Sequence, residues 1–126
     1  MGTLIRRHRL TLLTALAITI LSTIPVPEVK PLEDVPFFDK WVHFLMYGAL
    51  TTAVWLDRRL ARRPVTLPFV IVGMLLVPAL FGGLMELVQA YCTTCRSGDW
   101  MDFYADAFGA ALFTIVCSVA NLFWKK

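Results

Sequence analysis

Four apolar runs, Leu10 to Ile24, Trp41 to Leu56, Leu67 to Leu84 and Phe103 to Trp124, divide this sequence, and charged or proline-rich segments separate them. Only Asp106 interrupts the last run, and the third continues uncharged to Met85. About 20 apolar residues cross the hydrocarbon core of a bilayer. With 58% hydrophobic residues, 17% charged and a mean hydropathy of +0.68, the chain lies well to the apolar side of soluble domains. A chain of 126 residues is short for more than one compact unit, and four helices can pack around a single interior. The expectation is therefore an all-α fold: a polytopic membrane protein in one domain over residues 1–126, with transmembrane helices at about 9–25, 39–57, 66–91 and 101–124.

The first two runs fall short of a full span, so snorkelling of Arg9, interfacial placement of Trp41 and Trp55, or local thinning of the bilayer is expected to help them. The opening MGTLIRRHR, followed by LTLLTALAITIL and STIPVPE, also has the charged, apolar and polar regions of a signal peptide. It is read here as a retained anchor.

Charge divides by side. Arg6, Arg7, Arg9, Arg58, Arg59, Arg62, Arg63, Lys125 and Lys126 flank one set of span ends, with Asp57 the lone acid among them. Lys30, Lys40 and Arg96 fall in the opposite half, with Glu28, Glu33, Asp34, Asp39, Glu86, Asp99, Asp102 and Asp106. Cytoplasmic loops carry the excess of Lys and Arg, so both termini and the Arg loop are expected in the cytoplasm and the two acidic loops outside. The arginines sit where topology signals sit, which argues against nucleic acid as the partner of the basic balance.

Residues three and four apart on a helix share a face. Asp39, His43 and Tyr47 then form one stripe, which Lys40 joins through Tyr47; Gly82, Glu86 and Gln89 form a second; Asp99, Asp102, Asp106 and Gly109 form a third, with Arg96 just before it. In the expected topology each stripe occupies the outer end of its helix, so the three can meet in one pocket below the external surface. Glu86 and Asp106 constrain this most, because a carboxylate inside an apolar run costs on the order of 3 kcal/mol unless it faces a partner. Asp102 could serve only as a helix-start charge, Lys40 as a snorkelling anchor and Gln89 as a cap, while a lone histidine such as His43 is often a satisfied core residue. Ala105 and Gly109 give a small-xxx-small step, Gly82 and Gly83 are expected to let a backbone come close to Glu86, and Pro78 is expected to kink the third helix.

Cys92 and Cys95 form a C-x-x-C in the outer loop, and Cys117 lies deep in the last run. A structural zinc site would want a second ligand pair, and a redox site would want a helix start after the first cysteine. A local Cys92–Cys95 disulfide is the plainer reading outside the cytoplasm, with free thiols the other.

Taken together, D-K-x-x-H-F-x-x-Y (Asp39, Lys40, His43, Phe44, Tyr47), G-x-x-E-x-x-Q (Gly83, Glu86, Gln89) and R-x-x-D-x-x-D with a later glycine (Arg96, Asp99, Asp102, Gly109) resemble the VanZ-like family. Its namesake is a small membrane protein linked to teicoplanin resistance in bacteria. The resemblance covers residues 37–110 and departs at Asp106, where an asparagine would be expected. It implies a role at the outer face of the bacterial cytoplasmic membrane, near cell-wall or lipid-linked precursors.

The leading functional reading is a binding module whose pocket takes the polar head of a lipid, of a lipid-linked envelope precursor, or of a glycopeptide. Arg96 and Lys40 would meet phosphate or carboxylate; Gln89, Tyr47 and the acids would accept sugar or peptide donors. An enzyme is the first alternative: Asp39, Glu86, Asp99, Asp102 and Asp106 with His43 could hold a divalent cation, Asp99, Asp102 and Asp106 sharing a face as ligands could. His43 or Glu86 would then be the general base of a hydrolase or transferase acting on a phospholipid or polyprenyl phosphate. The sequence has no Gly-rich phosphate loop, nucleophile elbow or known metal signature, and no inverted repeat of the transporter kind is visible. The second alternative is an ion-pair network that only fixes helix register in an interaction protein.

Overall fold

The computed structural model describes residues 2–23, 38–92 and 100–124. All regular structure among them is helical: α1 (Gly2–Arg7), α2 (Arg9–Thr23), α3 (Phe38–Leu60), a π-helical segment (Phe69–Leu76) that runs straight into α4 (Val77–Cys92), and α5 (Trp100–Phe123). Apart from the short α1, which no apolar run marks, these ends lie within three residues of the expected ones.

Two stretches, Phe69–Val88 and Phe103–Phe123, are long and apolar enough to cross a membrane, and α2 supplies a shorter apolar stretch, Arg9–Leu21. α3 has 23 residues, about 34 Å at 1.5 Å per residue, so its length suffices for a bilayer core. It falls outside the strongly apolar pair because Asp39, Lys40, Asp57, Arg58 and Arg59 load its two ends.

Side-chain contacts fix the helix directions. α3 and α5 run parallel: His43 meets Asp106, Gly48 faces the Phe113 ring, Thr52 meets Cys117 and Trp55 bonds Asn121. α2 runs opposite to α3, since Thr11 meets Asp57 while Ile18 packs with Tyr47 and Leu50. α4 is likewise opposed, because Met74 lies beside Thr51 and Gly82 beside Asp106. The Arg6–Arg9 region, the Arg58–Arg63 turn and Trp124 therefore share one end of the bundle, where Arg59 stacks 4.9 Å from the Trp124 ring.

The most extensive interface joins α3 to α5, and it depends on small residues. A Cβ at Gly109 would run into the Phe44 backbone carbonyl, and one at Gly48 into the Phe113 ring. In a bilayer, where burial of apolar surface drives little association, such close backbone approach is a main source of helix packing.

Pro78 acts through the atom it lacks. Without an N–H it cannot donate to the carbonyl four residues back, Met74 O. The Thr51 hydroxyl of α3 donates to that carbonyl at 2.8 Å, and the Thr114 hydroxyl of α5, bonded to Ala110 O at 2.6 Å, lies 3.2 Å from it. A proline expected to kink one helix thus follows a π-helical stretch and frees a carbonyl on which three helices converge.

Two further devices set the basic end. Asp57 of α3 accepts from Leu10 N at 3.2 Å, from Thr11 N at 2.8 Å and from the Thr11 hydroxyl at 2.8 Å, capping the start of α2 and satisfying donors that a helix start leaves without partners. α3 itself ends in a Schellman turn: Arg62 takes φ 57°, Arg62 N bonds Arg59 O and Arg63 N bonds Arg58 O, with Pro64 stopping the helix beyond.

Large apolar side chains cover the outside, among them Leu80 at 70%, Phe108 at 71% and Leu122 at 80% exposed, while His43, Thr51, Asp57, Glu86, Asp106 and Thr114 are buried. Several polar groups thus share the interior with the apolar core, while many large apolar side chains face outward.

Candidate functional site

Helix spacing brings the expected stripes to one level. His43 lies five residues into α3, Asp106 six into α5, and Glu86 six before the end of α4. At 1.5 Å per residue each is about 8 or 9 Å from its helix end. Their exposures are 5%, 0% and 3%, and one ligand-type atom from each lies within 4.8 Å of the others. His43 Nδ1 is 2.9 Å from Asp106 Oδ1. With the proton on Nδ1 the imidazole donates to the carboxylate, which fixes the ring and leaves Nε2 as acceptor.

Glycines shape this space. A Cβ at Gly82 would sit 2.8 Å from Asp106 Oδ2 and 2.9 Å from Asp106 Cβ, and one at Gly83 would sit 3.3 Å from the Phe103 ring. The glycine pair expected to admit a backbone beside Glu86 therefore admits a carboxylate and a phenyl ring. Gly109, one turn beyond Asp106, brings the α3 backbone close enough for His43 to reach across.

Tyr47, one turn along α3 from His43, is fully buried against Phe81. Its hydroxyl has no hydrogen-bond partner among the described residues and lies within electrostatic range of Asp106 and Glu86. A buried hydroxyl left unbonded costs about 1–3 kcal/mol.

Of the residues expected to form the pocket, the structure thus brings together His43, Tyr47, Glu86 and Asp106. The side chains of Asp39, Lys40, Gln89 and Asp102, and all of Arg96 and Asp99, lie outside the described residues. So do the Cys92 side chain and Cys95, and with them the expected disulfide; Cys117 is buried and unpaired by disulfide.

Between α3 and α5, on faces that carry the sequence neighbours of His43 and Asp106, runs an apolar groove of about 600 Å³ that includes Trp41, Phe44, Tyr104, Ala105, Phe108 and Leu112. Nothing in the residue spacing marked this groove, because it forms where two faces separated by some sixty positions in the chain meet.

Asp57 and the Thr51–Met74–Thr114 tie were also missed from sequence. A lone acid inside an arginine-rich stretch, and a threonine-bearing helix on each side of a proline, were the available signals.

Compared with protein-family models, curated proteins and solved structures, the chain shows no match in any of the three.

Proposed function

We propose that the chain is a four-span protein of the bacterial cytoplasmic membrane, of VanZ-like kind, with both termini inside. In this reading its outward-facing pocket binds the polar head of a lipid or lipid-linked cell-wall precursor, or a glycopeptide carrying similar groups. The observation that carries the reading is the meeting of His43, Glu86 and Asp106 at matching positions on three helices, with an apolar groove between α3 and α5 lined by Phe44 and Ala105, the sequence neighbours of His43 and Asp106. A polar cluster and an apolar trough on the same helices suit a molecule with a hydrogen-bonding head and a hydrocarbon tail.

The membrane placement is supported by the inverted distribution of polar and apolar side chains and by aromatic residues at both ends. Trp41, Tyr91 and Tyr104 are exposed toward the end of the bundle that holds the cluster, and Trp124 toward the basic end, as in interfacial belts. The arginines gathered at the basic end favour a cytoplasmic position for that end and an exterior one for the cluster. Lys40 and Arg96 would then meet phosphate or carboxylate, and Tyr47, Gln89 and the acids would take sugar or peptide donors.

The test is lipid retention by the full chain in mild detergent, with polyprenyl phosphate and phosphatidylglycerol compared with phosphatidylcholine by native mass spectrometry. Preferential retention of one of the two anionic lipids over phosphatidylcholine, reduced at least about tenfold by His43→Ala and by Asp106→Asn, is the expected result; a loss of 1.4 kcal/mol corresponds to that factor. Equal retention of all three lipids, insensitive to both substitutions, defeats the reading.

A further inference from the structure

We infer that His43, Glu86 and Asp106 form a site for one first-row divalent cation of the zinc, manganese or iron class, held between α3, α4 and α5. The inference rests on ligand geometry and stands independently of the head-group reading.

Each residue contributes one donor atom, and all three donors fall within 4.8 Å of one another. The 2.9 Å between His43 Nδ1 and Asp106 Oδ1 is close to the roughly 3.0 Å that separates two ligands set at right angles about 2.1 Å from a shared ion. One imidazole nitrogen with two carboxylate oxygens is a borderline donor set, which favours these metals over calcium and magnesium, whose sites are built from oxygen. Three protein ligands would leave coordination positions for water or a substrate oxygen.

A second, independent observation lies one turn along α3 from His43. The Tyr47 hydroxyl is fully buried, has no hydrogen-bond partner among the described residues and lies within electrostatic range of both carboxylates. A water on the cation would give that hydroxyl the partner it lacks. Gly82, where a Cβ would crowd Asp106 Oδ2 at 2.8 Å, leaves the space in which that carboxylate sits. If the head-group reading also holds, the cation turns an acid-lined cavity into one that attracts phosphate.

The test uses the full chain carrying Cys92→Ser and Cys95→Ser, which removes the rival thiol ligands, stripped with a chelator in detergent micelles and titrated with Co²⁺. Expected is a saturable visible spectrum, displaced by Zn²⁺ and weakened at least about tenfold by Glu86→Gln and by Asp106→Asn. His43→Cys should add a thiolate charge-transfer band. No saturable spectrum in the folded chain, the result an ion pair with Lys40 or Arg96 would give, overturns the site. So does a spectrum unmoved by all three substitutions. Pulsed EPR of the Mn²⁺-loaded chain with His43 intact must show a directly bound imidazole nitrogen, and its absence overturns the site even where the variants fail to fold. Loss of polyprenyl phosphate retention with the Co²⁺ spectrum intact would count against the head-group reading alone.

Discussion

Asp57 and Asp106 are both carboxylates buried inside a bundle with an apolar exterior, at 4% and 0% exposure, and they are buried for different reasons. Asp57 is surrounded by donors of an obvious structural kind: two backbone N–H groups and a hydroxyl at the first turn of α2. Its arrangement is explained once the helix start is capped. Asp106 instead faces an imidazole, with a second carboxylate close by and, one turn along α3 from that imidazole, a phenol hydroxyl without a hydrogen-bond partner among the described residues. Burial of charge alone therefore says little about function, and what matters is whether the surrounding groups are accounted for by the fold.

The comparison can be broken or sharpened by substitution, reading stability from reversible unfolding in micelles. Gly109→Ala should have the largest effect, about 3 kcal/mol, because the new methyl meets the Phe44 carbonyl and α3 must move away from α5. The Asp106 end should lose its geometry while the Asp57 cap survives, and a stable Gly109→Ala protein would show that the close crossing is not required. Asp57→Ala should cost about 2 kcal/mol, with hydrogen exchange speeding up at Leu10 and Thr11; unchanged exchange there would remove the capping account. Thr51→Val should cost about 1 kcal/mol by withdrawing the donor to Met74 O, and less if Thr114 takes over that carbonyl. Asp106→Asn should change stability least, by under about 1 kcal/mol, since the amide keeps a hydrogen bond to His43 while ligand retention falls. A large stability loss from Asp106→Asn with unaltered retention would make Asp106 a structural residue like Asp57.

Much of the site was legible because helical periodicity is a local rule. His43 with Tyr47, Glu86 with Gly82, and Asp106 with Gly109 share faces at spacings of three or four, and these spacings alone put polar stripes at comparable distances from the helix ends. The rest depends on contacts that no local rule carries. That Gly82 makes room for Asp106, that Thr51 answers the carbonyl freed by Pro78, and that Asp57 caps a helix 46 positions away follow from which faces pack together.

What the chain's own order of residues settled is the helical plan: apolar runs of helix length, punctuated by charge, satisfy their backbone hydrogen bonds within each segment, as a bilayer would require. What only the packed bundle decided is which charged groups meet. Choosing His43, Glu86 and Asp106 as neighbours required α3 and α5 to lie parallel and nearly touching at Gly109, with α4 reversed beside them. Such a choice is made by the fit of three surfaces at once, and no single segment contains that information.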